Sequence, residues 1–270
     1  MAWTMAALAT TACTSAPPSQ DTTLHGTAIR YTLHGKQAPT IVLQAGLGDG
    51  QSTWRDVTSR MTGSQRYLSY DRPGHGGSGD AASPRNPCAI ATELHDLLRQ
   101  ANVPPPYVLV GHSVGGLYQY AYARLYPDEV AGLVLIDPTH PAHWTTMQAK
   151  APVAAATLTA LRHTVFDGVS RLEFDQQQDC LADLPPLTKP VPARLLFSTS
   201  FQLNERGAFE AMVRDLRADW RRLLPGAIAT EVPRAGHNVH HDQPEAVLDA
   251  ILRMHQDAQG PISPAEPRPR

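Results

Sequence analysis

Short apolar runs recur along the chain, and most of them end in glycine, aspartate or proline. Thr27–His34 alternates apolar and polar positions, with Ile29, Tyr31 and Leu33 on one face, which predicts a half-exposed strand. Four runs are typical of buried parallel strands, namely Thr40–Gln44, Tyr67–Tyr70, Tyr107–Val110 and Leu133–Ile136. Two later segments are also predicted as strands, namely Ala193–Ser198 and Ala227–Val232.

Helical patterns separate these strands. Apolar positions at Ile90, Leu94, Leu97 and Leu98 follow the spacing of one helix face. Two further helices are expected late in the chain, at Glu205–Leu224 and Pro244–His255. Continued alternation of strand and helix predicts an α/β fold with a mostly parallel central sheet and helices on both faces.

Residues 140–190 break the alternation, because this stretch is rich in alanine, proline and glutamine and lies between two predicted strands. A loop of about 50 residues without structure is uncommon in a compact domain, so we expect a small helical cap there. The domain is then expected over residues 23–256, with a disordered tail at 257–270.

Composition narrows the classes of partner. Hydrophobic residues make up 42% of the chain and charged residues 18%, which is enough apolar surface for a sizeable core. The formal net charge is −2 and no Lys/Arg run is present. A nucleic-acid or anionic-membrane partner is therefore not expected.

Gly111-His-Ser-Val-Gly115 lies where a predicted strand meets a predicted helix. This strand–turn–helix context is the one required of a nucleophile elbow, in which a serine projects from a turn too tight for flanking side chains. The alternative is an ordinary glycine-rich turn. We take Ser113 as the candidate nucleophile.

Serine is a weak nucleophile unless a base accepts its proton. His237 follows the last predicted strand and precedes the final helix, which places it at the carboxyl end of the sheet with Ser113. His240 and His241 are rival candidates, interpreted as surface loop residues, and His112 is expected to line the turn.

Several motifs occur in an order that resembles the α/β-hydrolase superfamily, over about residues 27–255. They are Gln44-Ala-Gly-Leu-Gly-Asp-Gly50, Tyr70-Asp-Arg-Pro-Gly-His-Gly-Gly-Ser78, the Ser113 turn, Leu135-Ile-Asp-Pro138 and Gly236-His237. The resemblance implies Ser–acid–His catalysis with no cofactor or metal. It also implies an oxyanion hole formed by the backbone N–H groups of Leu47 and Val114.

The acid departs from the commonest family pattern, in which an aspartate follows the penultimate strand. Here that position holds Thr199–Glu205, which contains no aspartate. Asp137, at the end of the preceding strand, is the favoured acid, and Glu205 is the alternative. Asn204 is interpreted as a helix N-cap and Asp71 as a structural residue.

These residues predict a serine hydrolase that cleaves carboxylic esters through an acyl-enzyme. The substrate is expected to be a small molecule, and the cap, including Trp144, is expected to set its size. A serine at the turn argues against dehalogenase or epoxide-hydrolase chemistry. Hydrolysis of amides, lactones, thioesters or carbon–carbon bonds stays open. The alternative from another class is a ligand-binding or receptor-like module with vestigial activity.

The first 22 residues resemble a lipoprotein signal or a disordered N-terminus, with Cys13 as the residue that would be acylated. The lipoprotein hypothesis predicts an exported, membrane-anchored protein. The alternative, a disordered N-terminus, predicts a cytoplasmic protein. In an oxidising compartment Cys88 and Cys180 would be able to form a disulfide; otherwise both are ordinary thiols. The oligomeric state is left open.

Overall fold

The computed structural model describes residues 17–61 and 63–260. Within these residues, eight strands form one sheet in the order β1-β2-β4-β3-β5-β6-β7-β8. The strands are β1 Gln20–Leu24, β2 Thr27–His34, β3 Gln37–Gln44, β4 Gln65–Tyr70, β5 Tyr107–His112, β6 Val130–Ile136, β7 Ala193–Ser198 and β8 Ile228–Val232.

The sheet is mostly parallel, as the sequence predicts. Only the β1–β2 and β2–β4 pairs are antiparallel, and β3 to β8 run in one direction. Their carboxyl ends therefore lie along one edge. Strand β1 has no counterpart in the sequence analysis, and it begins at Gln20, ahead of the expected domain start at residue 23.

Helices cover both faces of the sheet. They are α1 Arg55–Thr58, α2 Pro87–Gln100, α3 Val114–Leu125, α4 His143–Lys150, α5 Pro152–Val165, α6 Gly168–Asp175, α7 Ala208–Leu223, α8 Val239–Asp242 and α9 Pro244–Ala258. Leu109 of β5 belongs to the core cluster that includes α2 and α3, whereas Val108 and Val110 belong to the cluster that includes α9. Strand β5 is therefore buried on both sides, as its uninterrupted apolar sequence predicts.

The expected cap is present as α4, α5 and α6, which lie between β6 and β7. In the described part of the chain, no helix has the length and apolar character needed to cross a membrane.

Helix α7 begins at Ala208, three residues later than predicted. Residues Leu203–Glu205 form a separate 3-10 turn that Gln202 caps, and Gly207, at φ +86°, separates this turn from α7. Asn204 is therefore not the N-cap of the helix, because the chain turns once more before the helix starts.

A buried ionic cluster attaches the cap to the sheet. The fully buried Glu173 of α6 accepts hydrogen bonds from Arg72 Nε (3.1 Å) and Nη2 (2.9 Å) and from Arg85 Nη2 (3.2 Å). His75 Nε2 lies 3.2 Å from the same carboxylate. Burial opposes ionisation of Glu173, but the charge of Arg72 and the hydrogen bonds from His75 and Arg72 outweigh it and lower its pKa well below the ordinary range.

A disulfide joins Cys88, at the start of α2, to Cys180, which follows α6 in the cap segment. The cap is therefore attached to the rest of the domain by a covalent bond as well as by Glu173.

Replacing Glu173 with Gln removes the charge that compensates two buried guanidinium groups, so Glu173→Gln should lower the free energy of unfolding by about 3 kcal/mol at pH 7. Urea unfolding measures this. Because folding lowers the pKa of Glu173, its contribution is complete above the unfolded pKa of about 4.3 and decreases as the pH falls from there toward the folded pKa.

The matched control is Glu245→Gln, since Glu245 is 76% exposed and pairs only at the surface with Arg60. It should change the free energy of unfolding by less than about 0.5 kcal/mol. Equal effects of the two substitutions would show that the buried cluster contributes no special stability.

Candidate functional site

Ser113 lies in a strained turn between β5 and α3. Its φ is +54° and its ψ is −125°, a conformation that costs free energy for a residue with a side chain. A Cβ at Gly111 would collide with the backbone of Gly115, and a Cβ at Gly115 would collide with the carbonyl oxygen of Gln44. The two flanking glycines are therefore required for this turn to pack against the neighbouring strand.

Three side chains predicted from the sequence meet at the carboxyl edge of the sheet. His237 Nε2 lies 2.9 Å from Ser113 Oγ, and His237 Nδ1 lies 2.8 Å from Asp137 Oδ2. Ser113 follows β5, Asp137 follows β6 and His237 follows β8. The His237 side chain is 53% exposed, whereas that of Asp137 is only 9% exposed. The serine and the imidazole are thus open to a substrate, while the carboxylate is shielded from water.

The carboxylate of Asp137 has four hydrogen-bond donors. Besides His237, these are Arg217 Nη2 (2.6 Å), Ser198 Oγ (3.1 Å) and the Ser198 backbone N–H (3.4 Å). Burial opposes ionisation of Asp137, but the hydrogen bond from His237, the charges of His237 and Arg217 and the Ser198 N–H outweigh it. The pKa of Asp137 is therefore lowered to about 2, so this group is a carboxylate at neutral pH.

Two of these donors, Arg217 and Ser198, carry no signal in the sequence that points to the site. Arg217 lies on α7, 80 residues after Asp137, and its Nη1 also donates to the Ser198 carbonyl oxygen at 2.8 Å. No motif surrounds it, and a helical arginine is ordinarily a solvated surface residue. Its side chain is only 11% exposed here and lies over the rings of Phe197 and Phe201.

Glu205, the alternative acid, is bonded within its own turn. Its Oε2 accepts a hydrogen bond from the Gln202 backbone N–H at 2.7 Å. Glu205 lines the same cavity as Ser113 and His237, but the His237 Nδ1 position is taken by Asp137.

Two buried histidines lie behind His237. His112 Nε2 donates to the His237 carbonyl oxygen at 2.9 Å, and the His240 ring lies 4.3 Å from the His112 ring. The interpretation of His240 as a surface residue is wrong, because it is fully buried and its Nε2 lies 2.8 Å from Thr53 Oγ1. Burial and the neighbouring imidazoles lower the pKa of His112 well below its usual value and that of His240 to about 3. Both rings are therefore neutral at pH 7.

Arg72 fixes the backbone of the glycine-rich loop after β3. Arg72 Nη1 donates to the Ala45 carbonyl oxygen and Nη2 to the Gly46 carbonyl oxygen, both at 2.8 Å. Leu47, the next residue, lines a cavity together with Ser113 and Val114.

Asp71 has the structural role that the sequence predicts. Its carboxylate accepts hydrogen bonds from the backbone N–H groups of Gln51 (2.6 Å) and Gly77 (2.9 Å). It therefore ties the end of the β3 loop to the turn that follows β4.

Two cavities meet at Ser113 and His237, and Thr139 and His143 line both. The first, about 220 Å³, extends toward α7 and is lined in part by Arg217. The second, about 350 Å³, extends under the cap. Its apolar wall consists of Met147, Leu158, Phe166 and Phe174.

The cap residue expected to set substrate size, Trp144, lies behind this wall. Its ring packs edge-on against Phe174 at 5.0 Å, so Phe174 rather than Trp144 lines the second cavity. His143 is the cap residue that faces His237, and burial together with the charges of His237 and His140 lowers the pKa of His143 to about 4. It presents a neutral imidazole to both cavities at pH 7.

Among residues 17–61 and 63–260, no three His, Cys, Asp or Glu side chains are grouped as metal ligands.

Comparison with known structures places this site in a common fold. The enol-lactonase from Burkholderia xenovorans LB400 superposes with a TM-score of 0.65 at 21% identity, covering 87% of this chain and 99% of that one. The esterase EaEST from Exiguobacterium antarcticum gives a TM-score of 0.67 at 13% identity, covering 89% and 100%. At these identities the likeness establishes the fold alone.

Comparison of sequences identifies the family. The uncharacterized protein YqjL of Bacillus subtilis is 29% identical over 234 residues, which are 85% of this chain and 88% of YqjL. Residues 33–250 match the family model described as the alpha/beta hydrolase family. Because this match spans well over half of the sequence, the chain belongs to the alpha/beta hydrolase family.

Proposed function

We propose that this protein is a serine hydrolase that cleaves carboxylic esters through a covalent acyl-enzyme. The observation that carries the proposal is the hydrogen-bonded series Ser113 Oγ–His237 Nε2 and His237 Nδ1–Asp137 Oδ2, at 2.9 and 2.8 Å. A serine with an oriented imidazole is the arrangement that makes a hydroxyl nucleophilic near neutral pH.

In the first half-reaction, Ser113 Oγ attacks the ester carbonyl carbon while His237 Nε2 takes the hydroxyl proton. Asp137 holds the imidazole in the tautomer that accepts at Nε2 and stabilises the imidazolium that forms. The carbon–oxygen bond to the alcohol then breaks, and His237 returns the proton to the departing oxygen. Water next attacks the carbonyl carbon of the acyl-enzyme and gives a proton to His237. The bond between that carbon and Ser113 Oγ then breaks, His237 returns the proton to Oγ, and the carboxylic acid leaves.

The oxyanion formed in each step is assigned to the backbone N–H groups of Leu47 and Val114, which line the cavity with Ser113. Such donors stabilise charge that develops only in the transition state, and each contributes ~100–1000-fold to the rate. Arg72 supports this role indirectly, because its hydrogen bonds to the Ala45 and Gly46 carbonyl oxygens fix the backbone just before Leu47.

The two cavities suggest where the acyl and alcohol parts of an ester lie when its carbonyl group is at Ser113. The larger cavity, whose cap side is lined by Met147, Leu158, Phe166 and Phe174, suits the hydrocarbon acyl chain, and the smaller one beside α7 suits the alcohol. Burying each methylene group in an apolar site gains ~0.8 kcal/mol, so acyl chain length is the property this cavity selects.

We also propose that the protein is exported, with the segment around Cys13 acting as a lipoprotein signal. That segment lies outside the described residues. The Cys88–Cys180 disulfide supports the proposal, because disulfides persist in oxidising compartments and are rare in the cytosol.

Ser113→Ala removes the attacking hydroxyl without adding volume, so hydrolysis of a short nitrophenyl ester should fall to background while the thermal unfolding temperature stays close to that of the wild type. A fluorophosphonate probe should label the wild-type protein at Ser113 and leave the variant unlabelled. Turnover by the variant would refute the nucleophile, and an unlabelled wild type that still binds esters tightly would favour a binding module.

Asp137→Asn preserves the shape of the acid but presents an amide to His237 Nδ1, so kcat should fall about 10⁴-fold. Glu205→Gln is the matched change at the alternative position and should leave kcat close to the wild-type value, since Glu205 bonds to Gln202. Steady-state kinetics with one ester compares the two. The opposite ranking would move the acid to Glu205.

Arg217→Met removes the cation that lies 2.6 Å from Asp137, so the pKa of Asp137 should rise by about one pH unit or more from its value near 2. Carbon-13 NMR titration of the Asp137 carboxyl measures this, and Arg217→Lys should restore a low value. Arg214→Met is the control, because Arg214 lies one turn earlier on α7 and pairs with Glu210 instead. A carboxyl pKa that is the same in all three variants would show that Arg217 has no electrostatic role.

A further inference from the structure

Helix α5 of the cap presents large apolar side chains to solvent. Val153 is 80% exposed, Val165 is 60% exposed and Leu161 is 48% exposed, and Leu172 of the adjacent α6 is 39% exposed. The only buried residue of this 14-residue helix is Ala155. We call the face of α5 that carries Val153, Leu161 and Val165 the cap surface.

Helix α5 also carries very little charge. It contains no Asp, Glu or Lys, and its single arginine, Arg162, forms an ion pair with Asp175 at 3.3 Å. Exposed helices of soluble domains usually carry charged residues on their outer face, and an uncharged apolar face marks a contact with another phase or molecule.

The cap surface lies directly behind the second cavity. Leu158 of α5 and Phe166, just after its end, line that cavity together with Ser113. A molecule that covers the outer side of α5 therefore lies one helix thickness from the site of ester cleavage.

The N-terminal segment joins the domain at the edge of the sheet that the cap covers. Ser19 Oγ lies 3.1 Å from Thr32 Oγ1, which donates to Gln51 Oε1 at the end of the β3 loop, and Gln51 in turn bonds to Asp71. The turn after Asp71 meets the cap, because the side chain of Val169 packs against Gly74.

Cys13 precedes Ser19 by six positions, and six residues of chain span at most about 20 Å. The point where this segment enters the domain, at Ser19, and the cap therefore lie at the same edge of the sheet.

We propose that the cap surface docks on a lipid bilayer, with Val153, Leu161 and Val165 in the interface, and that the enzyme takes its esters from the membrane. Exposed apolar side chains gain free energy when they leave water for the boundary between headgroups and acyl chains of a bilayer. Because α5 offers no unpaired arginine or lysine, the binding does not depend on anionic lipids. The choice of membrane-partitioned esters rests on the proposed hydrolase function, whereas docking itself does not.

The test is sedimentation of the full chain carrying Cys13→Ser, so that no acyl group contributes, with phosphatidylcholine vesicles. The protein with an otherwise unchanged cap should bind the vesicles. Adding Leu161→Gln and Val165→Gln together should weaken vesicle binding about tenfold or more. The matched control is Leu203→Gln with Ile228→Gln, since these side chains are also exposed, at 82% and 54%, but lie outside the cap. The control pair should bind as the unmodified cap does.

Binding should persist when the salt concentration is raised, because no charge attraction is involved. Absence of binding, loss of binding in high salt, or equal weakening by both pairs of substitutions would overturn the proposal. Size-exclusion chromatography showing a dimer that only the cap pair dissociates would assign the surface to a second copy of the chain instead.

Hydrolysis of a short, water-soluble nitrophenyl ester should be the same with either pair of substitutions. This second measurement separates the two proposals. A protein that hydrolyses the soluble ester but ignores vesicles refutes docking alone, and one that binds vesicles without hydrolysing any ester refutes the hydrolase.

Discussion

The buried guanidinium of Arg72 is the contact on which the geometry of the site depends. On one side it bonds to the carbonyl oxygens of Ala45 and Gly46, and on the other to the carboxylate of Glu173 in the cap. Removing a guanidinium and a carboxylate from water is costly, and the cost is offset only when both charges are fully hydrogen-bonded in one arrangement. Arg72 therefore joins the loop beside Ser113 to the cap, within a cluster in which Arg85 and His75 also contact Glu173.

Electrostatics divides the groups around His237 into two sets. Asp137 and Arg217 form a charged pair on its Nδ1 side, whereas the histidines near it, His112, His143 and His240, are neutral at pH 7. An imidazolium that forms at His237 thus meets one compensating carboxylate and no competing cation among these rings. Neutral imidazoles give the site polar lining without opposing the charge that proton transfer creates.

The parts of the site that the sequence could supply are those with local signatures. Ser113 stands between two glycines that the turn requires, and His237 follows a strand, so both could be located from neighbouring residues alone. Asp137 could be ranked above Glu205 only with help from the family resemblance. The structure explains the ranking, because Glu205 is used by its own turn.

Other features depend on contacts between distant segments, which leave no pattern in a single sequence. Arg217 reaches Asp137 across 80 positions, and nothing next to it distinguishes it from the other arginines of α7. The burial of His240 follows from its packing against His112, not from its polar neighbours. Strand β1 is short and polar, and it is defined by its pairing with β2 more than by its own composition. In the same way, the late start of α7 depends on a 3-10 turn that resembles helix in its residue types.

Helix α7 links two parts of the molecule that could otherwise have changed independently. Arg217 on this helix contacts Asp137, while Met212 and Leu216 pack against Met147 of the cap in one apolar cluster. A substitution that resizes the cap at Met147 also shifts the support of a guanidinium bonded to the acid. Changes in the cap at Met147 are therefore coupled through α7 to the contact between Arg217 and Asp137, and variants that widen the cap need compensating changes along α7 to keep the hydrogen bonds among Asp137, His237 and Ser113 in place.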